Sequence, residues 1–113
     1  MLHVTPEMME QTYDLLRITK PFRIWKLPDP DGIRFHVTKD NGEFASFDVK
    51  GGHPVICVTL HTARTLNSLT MHLAHEMIHL YQWKLKLPQN HGNHFQICKA
   101  RVCKEHSFDP GVF

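Results

Sequence analysis

Long apolar runs, paired cysteines and a strong excess of one charge are all missing from this sequence. No apolar run approaches the roughly 20 residues of a membrane-spanning helix, and the first residues are not a basic segment followed by an apolar one. We therefore expect a cytoplasmic protein with no membrane partner. The formal net charge of +2, with neutral histidines, neither requires nor excludes binding to nucleic acid.

Cysteine is scarce, and its spacing excludes a zinc ribbon. The three cysteines are Cys57, Cys98 and Cys103, and no two of them form a Cys-x-x-Cys pair. Their odd number indicates reduced thiols rather than a disulfide framework. A second metal cluster of Cys98, Cys103 and His106 can be considered, but the spacing of these residues fits no common zinc pattern.

The composition is that of one small globular domain with an unusual number of histidines. Apolar residues make up 42% and charged residues 21% of the 113 residues, which is an ordinary balance. We expect residues 1–113 to form a single domain with one modest core. Ten residues are histidine, which favours a metal site, and a bound metal would add to the stability of so small a core.

The strongest local pattern is His75-Glu76-Met77-Ile78-His79, which has the form His-Glu-x-x-His. Residues four apart on a helix lie on the same face, so the two imidazoles suit one tetrahedral zinc ion. Glu76 lies about 100° further round the helix. It can therefore serve as a general base towards water without binding the metal. The alternative is a histidine-rich amphipathic helix that binds no metal.

Hydrophobic periodicity predicts a small sheet before this motif. The third strand is apolar on both sides and should therefore be central. The Asn-Gly pair at residues 41–42 predicts a hairpin turn between the first two strands, and Gly51-Gly52 predicts the next turn. The predicted strands span residues 33–38, 44–49 and 55–60, after a helix over residues 6–19 and an extended segment over residues 22–27.

Two further helices are expected beyond the sheet. Apolar residues cover most of the segment 66–86, so the helix that carries the His-Glu-x-x-His motif should be buried. Buried histidine and glutamate side chains need partners, and a metal ion would supply one. A last helix should span residues 93–105. The predicted class is α+β, with an N-terminal helix, a small three-stranded mainly antiparallel sheet, the buried motif helix and a C-terminal helix.

The third zinc ligand must lie outside the motif, because a catalytic zinc ion has three protein ligands and an open position. The metzincin spacing would need glycine and histidine where this chain has Gln82 and Leu85, which excludes that class. A downstream glutamate, as in thermolysin-type enzymes, could only be Glu105, which lacks the surrounding pattern. His91 and His94 remain as candidates.

Two segments of the chain together resemble the SprT-like (Spartan-type) zinc metallopeptidases. That family combines His-Glu-[Met/Leu]-[Ile/Ala]-His with a later His-Gly-x-x-Phe segment. This chain has the first pattern at residues 75–79 and the second at His91-Gly92-Asn93-His94-Phe95. The resemblance covers about residues 53–103. It implies that residues 1–113 form one SprT-like domain with a zincin-like minimal metalloprotease fold and no zinc ribbon.

The resemblance also implies the activity and the site residues. The protein would hydrolyse peptide bonds in a protein or peptide substrate. One Zn²⁺ ion would be held by His75, His79 and His91, with Glu76 as the catalytic base. The histidine before the glycine is the family's third ligand, which favours His91 over His94.

Two other functions are compatible with the same residues. One is a non-catalytic zinc-binding module for a protein or DNA partner, which would favour a closed site with His72 or His94 as a fourth ligand. Otherwise these two histidines are expected near the metal without binding it. The other is a zinc-dependent hydrolase that acts on bonds other than peptide bonds.

Expectations about DNA depend on the basic residues of the chain. Many SprT-like relatives carry DNA-binding or partner-binding segments after the protease domain, and we expect none within residues 1–113. Action on DNA-associated proteins would therefore need recruitment by a partner or by the domain's own basic side chains. The sequence does not indicate the oligomeric state. The basic side chains on the predicted last helix are Lys99, Arg101 and Lys104.

Overall fold

The structure is a computed structural model that describes residues 2–39, 45–60 and 63–113. Within these ranges the chain is α+β, with four helices, one short 3-10 turn at Pro30–Gly32 and a three-stranded mixed sheet. No helix in these ranges is long and apolar enough to cross a membrane. The helices are α1 (Pro6–Arg17), α2 (Phe22–Trp25), α3 (Leu66–Lys84) and α4 (Asn93–His106), and the strands are β1 (Arg34–Thr38), β2 (Ala45–Lys50) and β3 (His53–Thr59).

Helix α1 begins at the residue that the sequence predicts. The hydroxyl of Thr5 accepts a hydrogen bond from the amide of Met8 at 3.2 Å, and Pro6 is the first helical residue. The helix ends at Arg17, slightly earlier than expected. Its buried face packs against α3 and β1, which places α1 behind the helix that carries the motif.

The extended segment predicted for residues 22–27 is wrong, because this part of the chain forms the short helix α2. Phe22 and Trp25 are both buried, and their rings meet edge to face with centroids 5.1 Å apart. Ile24, which strand alternation would place beside Phe22, is 63% exposed. The buried pair is spaced three residues apart, as on a helix, and a six-residue run is too short to distinguish that spacing from alternation.

The sheet has the order β1-β3-β2, so the prediction that the third strand is central is confirmed. The prediction of a mainly antiparallel sheet is wrong. Strand β1 pairs with β3 in parallel, and β2 pairs with β3 antiparallel. The predicted hairpin partners β1 and β2 lie on opposite sides of β3, and most of the proposed turn, residues 40–44, lies outside the described residues. The turn preference of the Asn-Gly pair is local, so it does not show that the apolar strand β3 lies between β1 and β2.

The hairpin of this sheet lies instead between β2 and β3. Gly51 and Gly52 have φ angles of 57° and 78°, and Lys50 pairs with His53 across the turn. Two consecutive positive φ angles suit glycine and match the twist of paired strands. The turn predicted at Gly51-Gly52 is therefore confirmed.

Helix α3 lies at the centre of the core. It packs against α1, α4, β2 and β3. Its N-cap is Thr65, whose hydroxyl accepts a hydrogen bond from the amide of Ser68 at 3.1 Å. Most of its circumference is apolar and buried, yet it also buries three polar side chains. The buried polar residues are Glu76, His79 and Gln82, and the fully buried apolar ones are Leu69, Leu73, Ala74, Met77, Ile78 and Leu80.

Helix α4 and the segment after it close the core over α3. The helix is capped by Gly92, so Asn93 is its first residue rather than its cap. Residues 107–113 contain no helix or strand. They are nevertheless packed, because Phe108 is buried and its ring lies 6.0 Å from the ring of Phe113. This packing brings Phe113 against His75, in the middle of α3.

Candidate metal centre

Helix α3 and the loop that follows it bring three histidines together. His75 and His79 are one turn apart on α3, with ring centroids 5.2 Å apart. His91 approaches them from the loop, and its Nε2 lies 3.2 Å from Nε2 of His75 and 3.1 Å from Nε2 of His79. Their ligand atoms all lie within 4.8 Å of one another, and the described ranges contain no other metal-ligand group of this kind.

The ring of Phe95 holds the three imidazoles against the first turn of α4. Its centroid lies 4.9 Å from that of His75, 5.0 Å from that of His79 and 4.5 Å from that of His91. Phe95 is only 2% exposed. One buried aromatic side chain therefore contacts all three rings and limits their orientations.

The tautomer of His75 is fixed by a backbone oxygen. Its Nδ1 lies 2.7 Å from the oxygen of Phe113. This backbone oxygen accepts the hydrogen bond, so Nδ1 must carry the proton and donate it. In the neutral ring, the lone pair is then on Nε2, which faces His91.

The tautomer of His79 is fixed through Gln82. The side-chain amide nitrogen of Gln82 donates to the carbonyl oxygen of Asn90 at 3.1 Å. This bond orients the amide so that its oxygen faces Nδ1 of His79 at 2.8 Å. Nδ1 of His79 must therefore be the donor, which leaves the lone pair on Nε2.

The arrangement of the three Nε2 atoms fits a zinc ion. Ligand nitrogens about 2.0–2.1 Å from a tetrahedral zinc lie roughly 3.3–3.4 Å from one another. The observed separations of 3.1 and 3.2 Å are close to that value. Nε2 of His91 has at most one proton to donate, but it faces the Nε2 lone pairs of both His75 and His79. Hydrogen bonds within the cluster therefore cannot supply a donor to both lone pairs.

Burial favours the neutral forms of His75 and His79. The pKa of His75 is lowered to about 4, chiefly by desolvation; the hydrogen bond to Phe113 opposes this shift, and nearby His79, His91 and His72 contribute to it. Desolvation also lowers the pKa of His79, against the hydrogen bond that its Nδ1 donates to Gln82. A neutral imidazole is the form that binds metal. His75 and His79 therefore already favour the protonation state that ligation requires in the metal-free protein.

The other predicted site residues lie near this cluster in different settings. Glu76 follows His75 on α3 and is buried, with 5% of its surface exposed. His72 lies one turn before His75, half-buried, and burial lowers its pKa. His94 packs instead against the ring of Tyr81 at 5.7 Å and the sulfur of Cys98 at 3.8 Å. Among the described residues His94 is outside the three-histidine cluster.

Two residues of the site were missed by sequence reasoning. Gln82 entered only as a mismatch to the metzincin pattern, although a buried amide three residues after a ligand histidine can reach its ring. No sequence pattern indicates a role for Phe113. It contributes a backbone oxygen, which the packing of residues 107–113 places next to His75. Both act on the side of the imidazole that faces away from the cluster.

The second cluster considered from the sequence does not assemble. Nε2 of His106 lies 3.0 Å from the hydroxyl of Thr19 and 2.9 Å from the carbonyl oxygen of Lys20. Cys98 and Cys103 are free, buried thiols, and burial raises the pKa of each. Protonated thiols are poor metal ligands.

The fold and the site together define an α+β chain with a three-histidine cluster close enough to bind a metal ion. Comparison with protein-family models, curated proteins and solved structures gave no significant match. The SprT-like resemblance therefore stays a prediction from the two sequence motifs.

Proposed function

We propose that this protein is a zinc-dependent metallopeptidase of the SprT-like, zincin-type class. His75, His79 and His91 would hold one Zn²⁺ ion, and Glu76 would be the general base. The observation that carries the proposal is the convergence of three Nε2 atoms. In the rings of His75 and His79, an oxygen acceptor at Nδ1 fixes the tautomer. The His-Glu-x-x-His pattern on a buried helix supports the assignment of Glu76.

The donor set favours zinc and an open coordination position. Three imidazoles suit zinc better than the hard cations that prefer oxygen ligands. Structural zinc sites close with a fourth protein ligand, whereas catalytic sites use three. No fourth histidine, cysteine, aspartate or glutamate joins the cluster among the described residues. This supports the catalytic proposal over a non-catalytic zinc-binding module.

Glu76 has the central chemical role in the proposed reaction. When bound, zinc would polarise the peptide carbonyl and lower the pKa of a water molecule to about 7. Glu76 would accept a proton from that water as its oxygen attacks the carbonyl carbon. It would then deliver the proton to the leaving amine as the C–N bond breaks. The three histidines stay neutral throughout and serve only as ligands.

Strand β2 is the candidate binding edge for an extended peptide substrate. It pairs with β3 on one side and is an edge strand of the described sheet. Helix α3 packs directly against β2 and β3, whereas α1 packs against β1. A peptide added to an exposed edge gains main-chain hydrogen bonds without demanding a particular sequence. Proteins with accessible extended segments are therefore the proposed substrates.

Association with DNA is a separate and optional part of the proposal. Arg101 and Lys104 are exposed on α4 and could contact phosphate groups. The catalytic site does not depend on that contact. Action on DNA-associated proteins would follow only if these side chains, or a partner protein, provide the recruitment.

The proposal is tested by a Glu76→Gln variant. The substitution keeps the size of the side chain but removes the base, so zinc content should be unchanged and peptide hydrolysis should fall by about 100-fold or more. Metal analysis and cleavage of an unfolded protein substrate measure the two effects. Glu105→Gln, at an exposed position of α4, is the matched control and should retain parent activity. Equal hydrolysis by the parent and the Glu76 variant would reject the role of Glu76.

A further inference from the structure

We propose that Gln82 is a positioning residue that joins the two separate parts of the candidate metal centre. One end of its side chain orients the ring of His79, and the other end holds the loop that presents His91. This inference rests on the proposed metal site, but it concerns how the metal-free chain prepares that site. It predicts that one uncharged side chain controls two of the three ligands.

The contacts of Gln82 use both ends of its amide group. The oxygen Oε1 lies 2.8 Å from Nδ1 of His79, and the nitrogen Nε2 donates to the carbonyl oxygen of Asn90 at 3.1 Å. Gln82 is only 1% exposed. An amide buried to that extent loses both water partners, so these two hydrogen bonds are strongly favoured over alternatives.

The directions of the two bonds depend on each other. Asn90 offers a carbonyl oxygen, which must face the NH₂ group, and this turns Oε1 towards His79. Nδ1 of His79 then has to donate. A loop carbonyl thus selects the tautomer of a helix histidine through Gln82, and leaves Nε2 of His79 available for a metal.

Gln82 also limits the movement of His91. Residues 87–92, which carry His91, contain no helix or strand, and His91 is exposed. The bond from Gln82 reaches Asn90, the residue directly before His91. The Gln82 backbone oxygen also accepts from the amide of Leu87 at 2.9 Å. From the other side, the Gln96 side chain donates to the carbonyl oxygen of His91 at 3.1 Å. The buried link to the loop passes through Gln82.

Two substitutions separate the functions of the two ends. Gln82→Leu removes both hydrogen bonds at similar volume. Gln82→Glu keeps an acceptor for Nδ1 of His79 but cannot donate to Asn90 when ionised. The matched control is Gln89→Leu, which makes the same chemical change within the loop that Gln82 contacts. Gln89 is exposed, and its amide bonds only to the carbonyl oxygen of Leu87 among the contacts that the structure shows.

The first measurement is made on the metal-free protein. Long-range ¹H–¹⁵N spectra report which imidazole nitrogen carries the proton. In the parent and in Gln89→Leu, the proton of His79 should be on Nδ1. In Gln82→Leu, a substantial fraction should move to Nε2, whereas Gln82→Glu should keep the parent tautomer. A substitution that only destabilised the protein would leave the tautomer of His79 unchanged in the folded state. A change of tautomer therefore reports positioning.

The second measurement is zinc affinity, determined by competition with a chromophoric chelator. Partners of metal-bound histidines typically contribute 10–100-fold in affinity. We expect a loss of about that size for Gln82→Leu, a smaller loss for Gln82→Glu and none for Gln89→Leu. Circular dichroism checks that each metal-free variant folds. If Gln82→Leu does not fold, the zinc affinity of Gln82→Glu still tests the proposal.

The outcomes distinguish this inference from the proposed function. If Gln82→Leu retains both the parent tautomer of His79 and the parent zinc affinity, the positioning role is wrong whatever the protein hydrolyses. If Gln82→Leu does not fold, parent zinc affinity in Gln82→Glu would count against the link to Asn90. If the parent binds zinc without cleaving peptides, the proposed function fails while the tautomer and affinity measurements still decide the role of Gln82.

Discussion

At the scale of single residues, the account depends on which atom of each imidazole is free. The far-side partners of His75 and His79 are both oxygen acceptors, one the backbone oxygen of Phe113 and one the side-chain oxygen of Gln82. Such partners fix the ring and increase its basicity as a ligand. The same hydrogen bonds leave the Nε2 lone pairs of His75 and His79 facing His91 without a buried charge, because burial favours the neutral form of both rings.

The assignment of the third ligand gives a prediction at this scale. His91→Ala should weaken zinc binding by several orders of magnitude, because it removes one of three ligand nitrogens. His94→Ala is the matched control, three residues away, and should bind zinc like the parent, since His94 contacts Tyr81 and Cys98 instead. Zinc titration of both variants measures the difference. A larger loss in His94→Ala than in His91→Ala would contradict the assignment.

The site residues show how far single-residue inference from the sequence can reach. His75, His79 and His91 were predicted as a group from spacing and motif resemblance, and the structure brings them together. Gln82 and Phe113 were not predicted as parts of the site. Helical spacing specifies neighbours along one helix, but it does not show which loop carbonyl or which distant segment will cover the other side of a ring.

At the scale of secondary-structure elements, α3 determines the geometry of the site. It sets the distance between two ligands, buries Glu76 and packs on both sheet and helices. A site on such an element is held more precisely than one on loops alone. The third ligand, on the loop after α3, is the part of the cluster least constrained by regular structure.

Packing of α3 gives the prediction at this scale. Leu73 is fully buried, so Leu73→Ala should lower the free energy of unfolding by about 2–5 kcal/mol. Leu66→Ala makes the same change at a position 61% exposed on the same helix and should cost roughly 0.5 kcal/mol or less. Urea unfolding of the metal-free variants compares them. Similar losses for both variants would mean that α3 is not packed as described.

Elements with long, regular patterns were predictable, and short or non-local ones were not. Residues 66–86 contain several helical turns of apolar spacing, and α3 follows them closely. The six residues 22–27 hold too few apolar positions to separate a helix from a strand. The pairing of β1 with β3 joins strands with β2 between them in sequence, and no local turn signal encodes such a non-local contact.

At the scale of the whole molecule, the metal-free protein should lose stability in acid. Burial lowers the pKa of His75 to about 4, below the value of about 6.5 expected in the unfolded chain. The unfolded state therefore binds more protons between these values, so the stabilising effect of a neutral His75 is complete above pH 6.5 and is lost as pH falls towards 4. The pKa of His79 shifts in the same direction.

Unfolding by urea in the presence of a chelator at several pH values between 7.5 and 4.5 measures this dependence. The free energy of unfolding of the parent should fall across the range. His75→Gln, which cannot take up a proton at this position, should lose less. A parent curve that is flat, or that rises as the pH falls, would show that His75 is not buried as a neutral ring.

The most direct test of the central claim is a crystal structure of the zinc-loaded protein. We predict one zinc ion bound by Nε2 of His75, His79 and His91 at about 2.0–2.1 Å, with a non-protein ligand in the remaining position. Nδ1 of His79 should still donate to Gln82. An ion that takes His72 or His94 as a fourth ligand, or the absence of zinc between the three rings at saturating metal, would contradict the account.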